Sequence, residues 1–229
     1  MNNPRSEIPT NQKTRQTNQQ SGCLSGFLLP PLVVLCFGLI LAFGTNSLKT
    51  TGPEAKTDSA LHPGALAPLF TLAIQFWGAS ILRWSTEHGI DPNIAATVMQ
   101  IESCGNPQAR SSAGASGLFQ VMPFHFLPSE DVFDPDINAL RGLNYLAKSL
   151  EQAGGNARLA LAGYNGGIGV IVQAESEWPA ETIRYAYWGS GIYADAQQNS
   201  SGSERLNEWL GAGGSSLCET ARQRLGLNQ

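Results

Sequence analysis

One carboxyl in this sequence sits where its chemistry would be altered. The stretch Pro92 to Ser103 is preceded by Asp91, an N-cap residue, has proline at the first helical position, and is followed by Gly105 and Pro107. That pattern predicts a helix over Pro92 to Ser103. At about 100° per residue, Ile94, Val98 and Ile101 fall on one edge of its apolar arc and Ala95 and Met99 on the other. Glu102 falls between them, while Asn93, Thr97, Gln100 and Ser103 take the opposite side. A carboxylate held against apolar neighbours has its neutral form favoured and its pKa raised, which suits a general acid working near neutral pH. The same placement fits a core glutamate satisfied by a buried arginine. Other reactive side chains are scattered: His62, His88 and His125 are isolated, and Cys23, Cys36, Cys104 and Cys218 have no metal-ligand spacing. With no HExxH, CxxC or carboxylate cluster, no metal or organic cofactor is expected.

The residues that follow Glu102 decide between the two readings. The run ESCGNPQARSSAGASGLFQVMP, from Glu102 to Pro123, resembles the catalytic core of the lytic transglycosylases, the soluble-lytic-transglycosylase-like (SLT) domain of the lysozyme-like superfamily. FDPDINALRGLNYLAKSL is similar to that family's second block, LALAGYNGG at Leu159 to Gly167 to its third, and WPAETIRY at Trp178 to Tyr185 to its last. Together these cover roughly residues 80 to 195. The resemblance implies a mainly α, lysozyme-like domain that cleaves the β-1,4 bond between N-acetylmuramic acid and N-acetylglucosamine in peptidoglycan. Glu102 matches the family's catalytic carboxyl, acting as acid and then as base while a 1,6-anhydro ring closes on the muramoyl sugar.

Other positions carry over as substrate contacts. Ser111, Gln120 and Met122 match residues lining the cleft. Tyr164 and Asn165 match the YN pair, the phenol placed to bond an acetamido group or Glu102 and the amide to hold the turn. Glu181 matches a second acidic position, read as substrate-orienting. Gly163, Gly167, Ile168 and the run Phe124-His125-Phe126 depart from the family pattern and would reshape one cleft wall. Two alternatives stay open: a hydrolytic muramidase on the same fold, and a catalytically silent peptidoglycan-binding or assembly protein. In an oxidising compartment Cys104 and Cys218 would be able to pair, tying the C-terminal helix to the end of the Glu102 helix.

Around Glu102 the pattern is helical throughout. Trp77, Ile81 and Trp84 recur at i, i+4, i+7, marking a first core helix in the uncharged run Pro63 to Leu82. A second helix begins near Asp136, carries Leu143, Leu146 and Leu150, and ends at Gly154 and Gly155. Asn156 caps a third, from Ala157 to about Tyr164. Beyond Gln197 the composition turns polar, yet Ser216 and Glu219 form a capping-box pair ahead of Leu225.

The 229-residue chain has room for one such domain with appendages, and its net charge of -4 offers no basic stripe for nucleic acid. Its N-terminal part reads as residues 1–20, a polar cytoplasmic tail; 21–44, a transmembrane anchor; and 45–64, a linker. The catalytic domain then spans 65–195, and 196–229 is a polar linker with a C-terminal helix. From Cys23 to Phe43 the chain is apolar and uncharged, about the length that spans a bilayer. Arg5, Lys13 and Arg15 precede it, which places the N-terminus inside and the domain on the extracytoplasmic face. The competing reading of that segment is a cleaved signal peptide, which also exports the domain. Membrane contact through residues 23–43 and peptidoglycan glycan strands are the expected partners.

Overall fold

The structure, a computed structural model, describes residues 66–227. The expected tail, anchor and linker lie outside the described residues. Among the described residues no helix is long and apolar enough to cross a membrane. The uncharged run Pro63 to Leu82, long enough on paper to approach a span, breaks at Trp77 into α1 (Leu72–Phe76) and α2 (Gly78–His88). Ile81 and Trp84 are buried, and the Trp77 indole donates to the Gly105 carbonyl at 2.8 Å.

The domain is mainly α. α3 (Pro92–Glu102) begins where Asp91 accepts from the Asn93 N–H at 2.8 Å and Pro92 fills the first position. α4 (Pro135–Gln152) is capped by Asp134, one residue ahead of the expected start, which accepts from the N–H groups of Asp136 and Ile137. α5 (Ala157–Gly166) is capped by Asn156, as its spacing predicts, and runs two residues beyond Tyr164. α6 (Ala180–Gln197) follows a pair of short 3₁₀ turns. α5 lies between α4 and α6, α3 packs on α6, and α2 packs on α3 and α4.

α3 is the centre of this arrangement, with every residue from Ile94 to Gln100 buried. Its polar side, expected opposite the core, is therefore inside as well. The reason is that each polar group finds a partner. Gln100 Oε1 accepts from the Thr71 N–H and hydroxyl, and its amide nitrogen reaches the sulfurs of Cys104 and Cys218 at 3.0 and 3.3 Å. The Ser103 hydroxyl donates to the Leu118 carbonyl at 2.6 Å. The helix is gripped all round, so the residue at its last turn is held rigidly.

Residues after Gln197 hold more structure than a linker with one helix. Ser203 caps α7 (Glu204–Trp209), a single π turn follows, and α8 (Ser215–Arg224) continues from it. Because Gly214 and Ser215 are already helical, no N-cap forms at Ser216, whose carbonyl instead accepts from the Thr220 hydroxyl. Leu206, Trp209, Cys218 and Ala221 join the main core. A disulfide connects Cys104, just past α3, to Cys218 in α8, with their Cα atoms 4.9 Å apart.

Candidate active site

Glu102 ends α3 and faces a cavity of about 270 Å³, whose other walls are Ile101, Asn165, Glu181, Arg184, Tyr185 and Trp188. Three elements build it. α3 supplies the acid, the C-terminal turn of α5 supplies Asn165, and one stripe of α6 supplies Glu181, Arg184, Tyr185 and Trp188 at i, i+3, i+4 and i+7. Asn165 is fixed by accepting a 2.9 Å hydrogen bond from the Thr182 hydroxyl, which ties α5 to α6 at the rim of the cavity.

The Glu102 residue is half-buried at the wall of this cavity. Burial pushes its carboxyl up from 4.5 to about 8, Glu181 adds to the rise through like charge, and the Tyr185 hydroxyl pulls back by favouring the anion. The Tyr185 hydroxyl is itself buried and makes no well-aligned hydrogen bond. Burial is the larger influence on Glu102, and the nearby Tyr185 hydroxyl offsets only part of it. Burial likewise raises the phenols of Tyr164 and Tyr185, and the Glu102 charge raises both further, so all three groups share one electrostatic neighbourhood.

A smaller cavity of about 50 Å³ is lined by Gln120, Val121, Met122, His125, Gly142, Tyr145 and Tyr164. Its floor is a loop closed by antiparallel bridges pairing Ser116 with Arg110 and with Val121. Gln120 adopts the left-handed region at φ 45°, and its amide nitrogen donates to the carbonyls of Ala109 and Gly117. The Tyr164 phenol donates to the Phe119 carbonyl at 2.8 Å, and its oxygen remains free to accept. The rings of Phe124, His125, Tyr145 and Tyr164 follow one another at centroid spacings of 4.6, 4.9 and 5.7 Å, a continuous aromatic wall.

The structure thus gathers Glu102, Asn165 and Glu181 round one cavity and Gln120, Met122 and Tyr164 round the other. Ser111 lines neither. Its hydroxyl accepts from the Ala115 N–H at 3.0 Å and its own N–H donates to the Ala115 carbonyl, so it closes the loop. Tyr185, Arg184 and Trp188 were not singled out by sequence reasoning, although their spacing from Glu181 on one helical face carried the signal.

Comparison with known proteins agrees with this geometry. Residues 79–187, just under half of the chain, match the family model of the transglycosylase SLT domain. The segment is an SLT domain. It contains Glu102 and every residue of both cavities except Trp188, which lies one position past its end. The transglycosylase of Enterobacteria phage PRD1 is 35% identical over 115 residues, covering 49% of this chain and 41% of the phage protein. The membrane-bound lytic murein transglycosylase E of Buchnera aphidicola is 24% identical over 129 residues, covering 51% of this chain and 57% of that protein. This chain spans about half the length of these curated relatives. A solved lytic transglycosylase Slt of Pseudomonas aeruginosa aligns with 66% of this chain and 24% of its own at 23% identity, with a TM-score of 0.40, too loose a match to carry an argument. The helices α7 and α8 lie outside the SLT domain.

Proposed function

We propose that this protein is a membrane-anchored lytic transglycosylase, cleaving the N-acetylmuramic acid to N-acetylglucosamine β-1,4 bond of peptidoglycan without consuming water. The observation that carries the reading is a carboxyl, Glu102, held protonated near neutral pH at the wall of an open cavity inside an SLT domain. In the first step Glu102 gives its proton to the glycosidic oxygen as the C1–O bond breaks. The electron pair leaves with the N-acetylglucosamine hydroxyl, and the acetamido oxygen of the muramoyl sugar stabilises C1. In the second step the Glu102 carboxylate removes the C6 hydroxyl proton while O6 bonds to C1 and the acetamido oxygen is released. Glu102 is again neutral. A carboxyl near 8 serves both steps, being largely protonated at pH 7 and basic enough once ionised. The Tyr185 hydroxyl faces the anion in the interval between them. Asn165 and Glu181 would orient the sugar from the opposite wall, and Gln120, Met122 and Tyr164 would shape the adjoining groove.

The expected anchor over residues 23–43 would leave the domain on the extracytoplasmic face. A 20-residue linker such as 45–64 extends at most on the order of 65 Å, so the domain would work on strands near the membrane. The Buchnera relative's description as membrane-bound supports this reading.

Glu181 favours one further reading. A second carboxyl in the same cavity could hold a water against C1, which is how an inverting hydrolase works. Mass spectrometry of products from purified peptidoglycan separates the two. The full-length protein is expected to release 1,6-anhydro-muropeptides, and Glu102→Gln to release them slower by about 10²–10⁴-fold. Reducing-end products would assign a hydrolase, and folded protein without products would assign a binding role.

A further inference from the structure

Arg184 is the cation of the larger cavity, and nothing in the reaction above uses it. Among the described residues, Arg83, Arg141, Arg158, Arg205 and Arg222 each pair with a carboxylate. Arg184, like Arg110 and Arg224, does not, although Glu181 lies three residues earlier on the same helical face, where opposite charges commonly meet. Its side chain makes no hydrogen bond among the described residues either. Its guanidinium therefore stands exposed at the cavity wall with five donors available, beside the apolar face of Trp188 one turn on. A guanidinium in that state is suited to a bidentate partner, a carboxylate above all.

We infer that Arg184 binds a free carboxylate of the peptide stem borne by the muramoyl sugar, making the larger cavity a joint site for sugar and stem. The inference rests on the reading of Glu102 as the acid acting at C1 of that sugar. The stem leaves the same ring at C3 through its lactyl ether. The inference requires that, with C1 at Glu102, the stem runs along the cavity wall on which α6 presents Arg184 and Trp188. The guanidinium takes a carboxylate, and Trp188 covers the small apolar side chains of the stem. Arg184 would thus favour glycan whose stems carry a free carboxylate over glycan whose stems are amidated.

Full-length Glu102→Gln protein, in which the reacting carboxyl is replaced by its neutral amide, is titrated calorimetrically with three probes. These are a tetrasaccharide of alternating N-acetylglucosamine and N-acetylmuramic acid bearing free stems, the same tetrasaccharide with its stem carboxylates amidated, and the tetrasaccharide without stems, its lactyl carboxylates blocked as amides. The free-stem probe is expected to bind about tenfold tighter than either of the others. In Glu102→Gln/Arg184→Gln that ratio falls to about one, and with Arg184→Lys it is intermediate, because the charge remains and the fork is lost. A ratio unchanged by Arg184→Gln overturns the inference, as do amidated stems that bind as tightly as free ones or a protein that binds none of the probes. Failure of the catalytic reading shows elsewhere: wild-type protein yields no product from peptidoglycan while the Arg184-dependent ratio persists.

Discussion

Glu102 is kept neutral by surroundings that cost the fold something. In the unfolded chain its carboxyl ionises near 4.5, and in the native state near 8. Between those values the unfolded state binds fewer protons than the native state, so stability falls as pH rises from about 4.5 and stops falling above 8. Each tenfold change in acidity is worth about 1.4 kcal/mol, so the penalty has an upper bound of about 5 kcal/mol. Access to the cavity reduces it. Glu102→Gln removes this penalty. The variant should therefore melt above the wild type at pH 8, with the gap closing toward pH 4.5, as thermal unfolding across that range would read. The pH dependence of cleavage should show the same group from the other side, with the wild-type rate declining as pH rises through about 8. A wild type as stable as Glu102→Gln at every pH would mean that the carboxyl is ordinary. The position of Glu102 was legible because one helix's periodicity aims it inward. Tyr185 was legible only as a residue on the same helical face as Glu181; its relation to Glu102 depends on how α6 lies against α3, which no local pattern encodes.

At the scale of elements, the cavity wall depends on a clasp between α4 and the loop that follows α3. Asn138 is fully buried, accepts from the Phe119 N–H at 2.9 Å, and donates to the carbonyls of Ser116 and Val132 at 2.8 and 3.0 Å. Gly117 at φ 77° lets the loop approach so closely that a Cβ there would lie 2.2 Å from the Asn138 amide nitrogen. Asn138→Ala leaves the buried Phe119 N–H and the part-buried Val132 carbonyl unpaired, while the Ser116 carbonyl keeps the Val121 N–H, at about 1–3 kcal/mol for each group left unpaired. The expected loss is about 3 kcal/mol or more, measured by chemical denaturation, with cleavage lost alongside because Gln120 and the Phe119 carbonyl that anchors Tyr164 drift. Gly142 makes the same point by shape: a Cβ would meet Phe119 Cβ at 2.5 Å, so Gly142→Ala should be destabilising by about 1–3 kcal/mol through overpacking. The helices themselves were readable from caps, as Asp91 and Asn156 show, since those signals are local. The buried polar residues Gln100, Ser103 and Asn138 were misleading or silent. Hydrophobic periodicity puts Gln100 and Ser103 opposite the apolar arc, and only the tertiary structure reveals the partners that satisfy them inside.

For the molecule as a whole, the helices beyond the SLT domain and the proposed location outside the membrane are linked through Cys104 and Cys218. Their disulfide closes a sequence separation of 114 residues and fastens α8 two positions past Glu102. On the chain-entropy account a loop of that order is worth about 5 kcal/mol, a large share of a domain's stability. Such a bond persists where the compartment is oxidising, which is the side to which the positive residues ahead of the expected anchor would direct the domain. Alkylation of membrane-fraction protein with a thiol reagent, before and after reduction, followed by peptide mass analysis, tests both claims at once. The peptides carrying Cys104 and Cys218 should take up reagent only after reduction, and Cys218→Ser should lower the melting temperature by roughly 10 °C or more, since about 1 kcal/mol moves a domain of this size by 2–4 °C. Free thiols at both positions in freshly isolated protein would place the domain on the reducing side of the membrane, away from peptidoglycan. That result would remove the proposed substrate together with the bond, because an enzyme of this kind has nothing to cut in the cytoplasm.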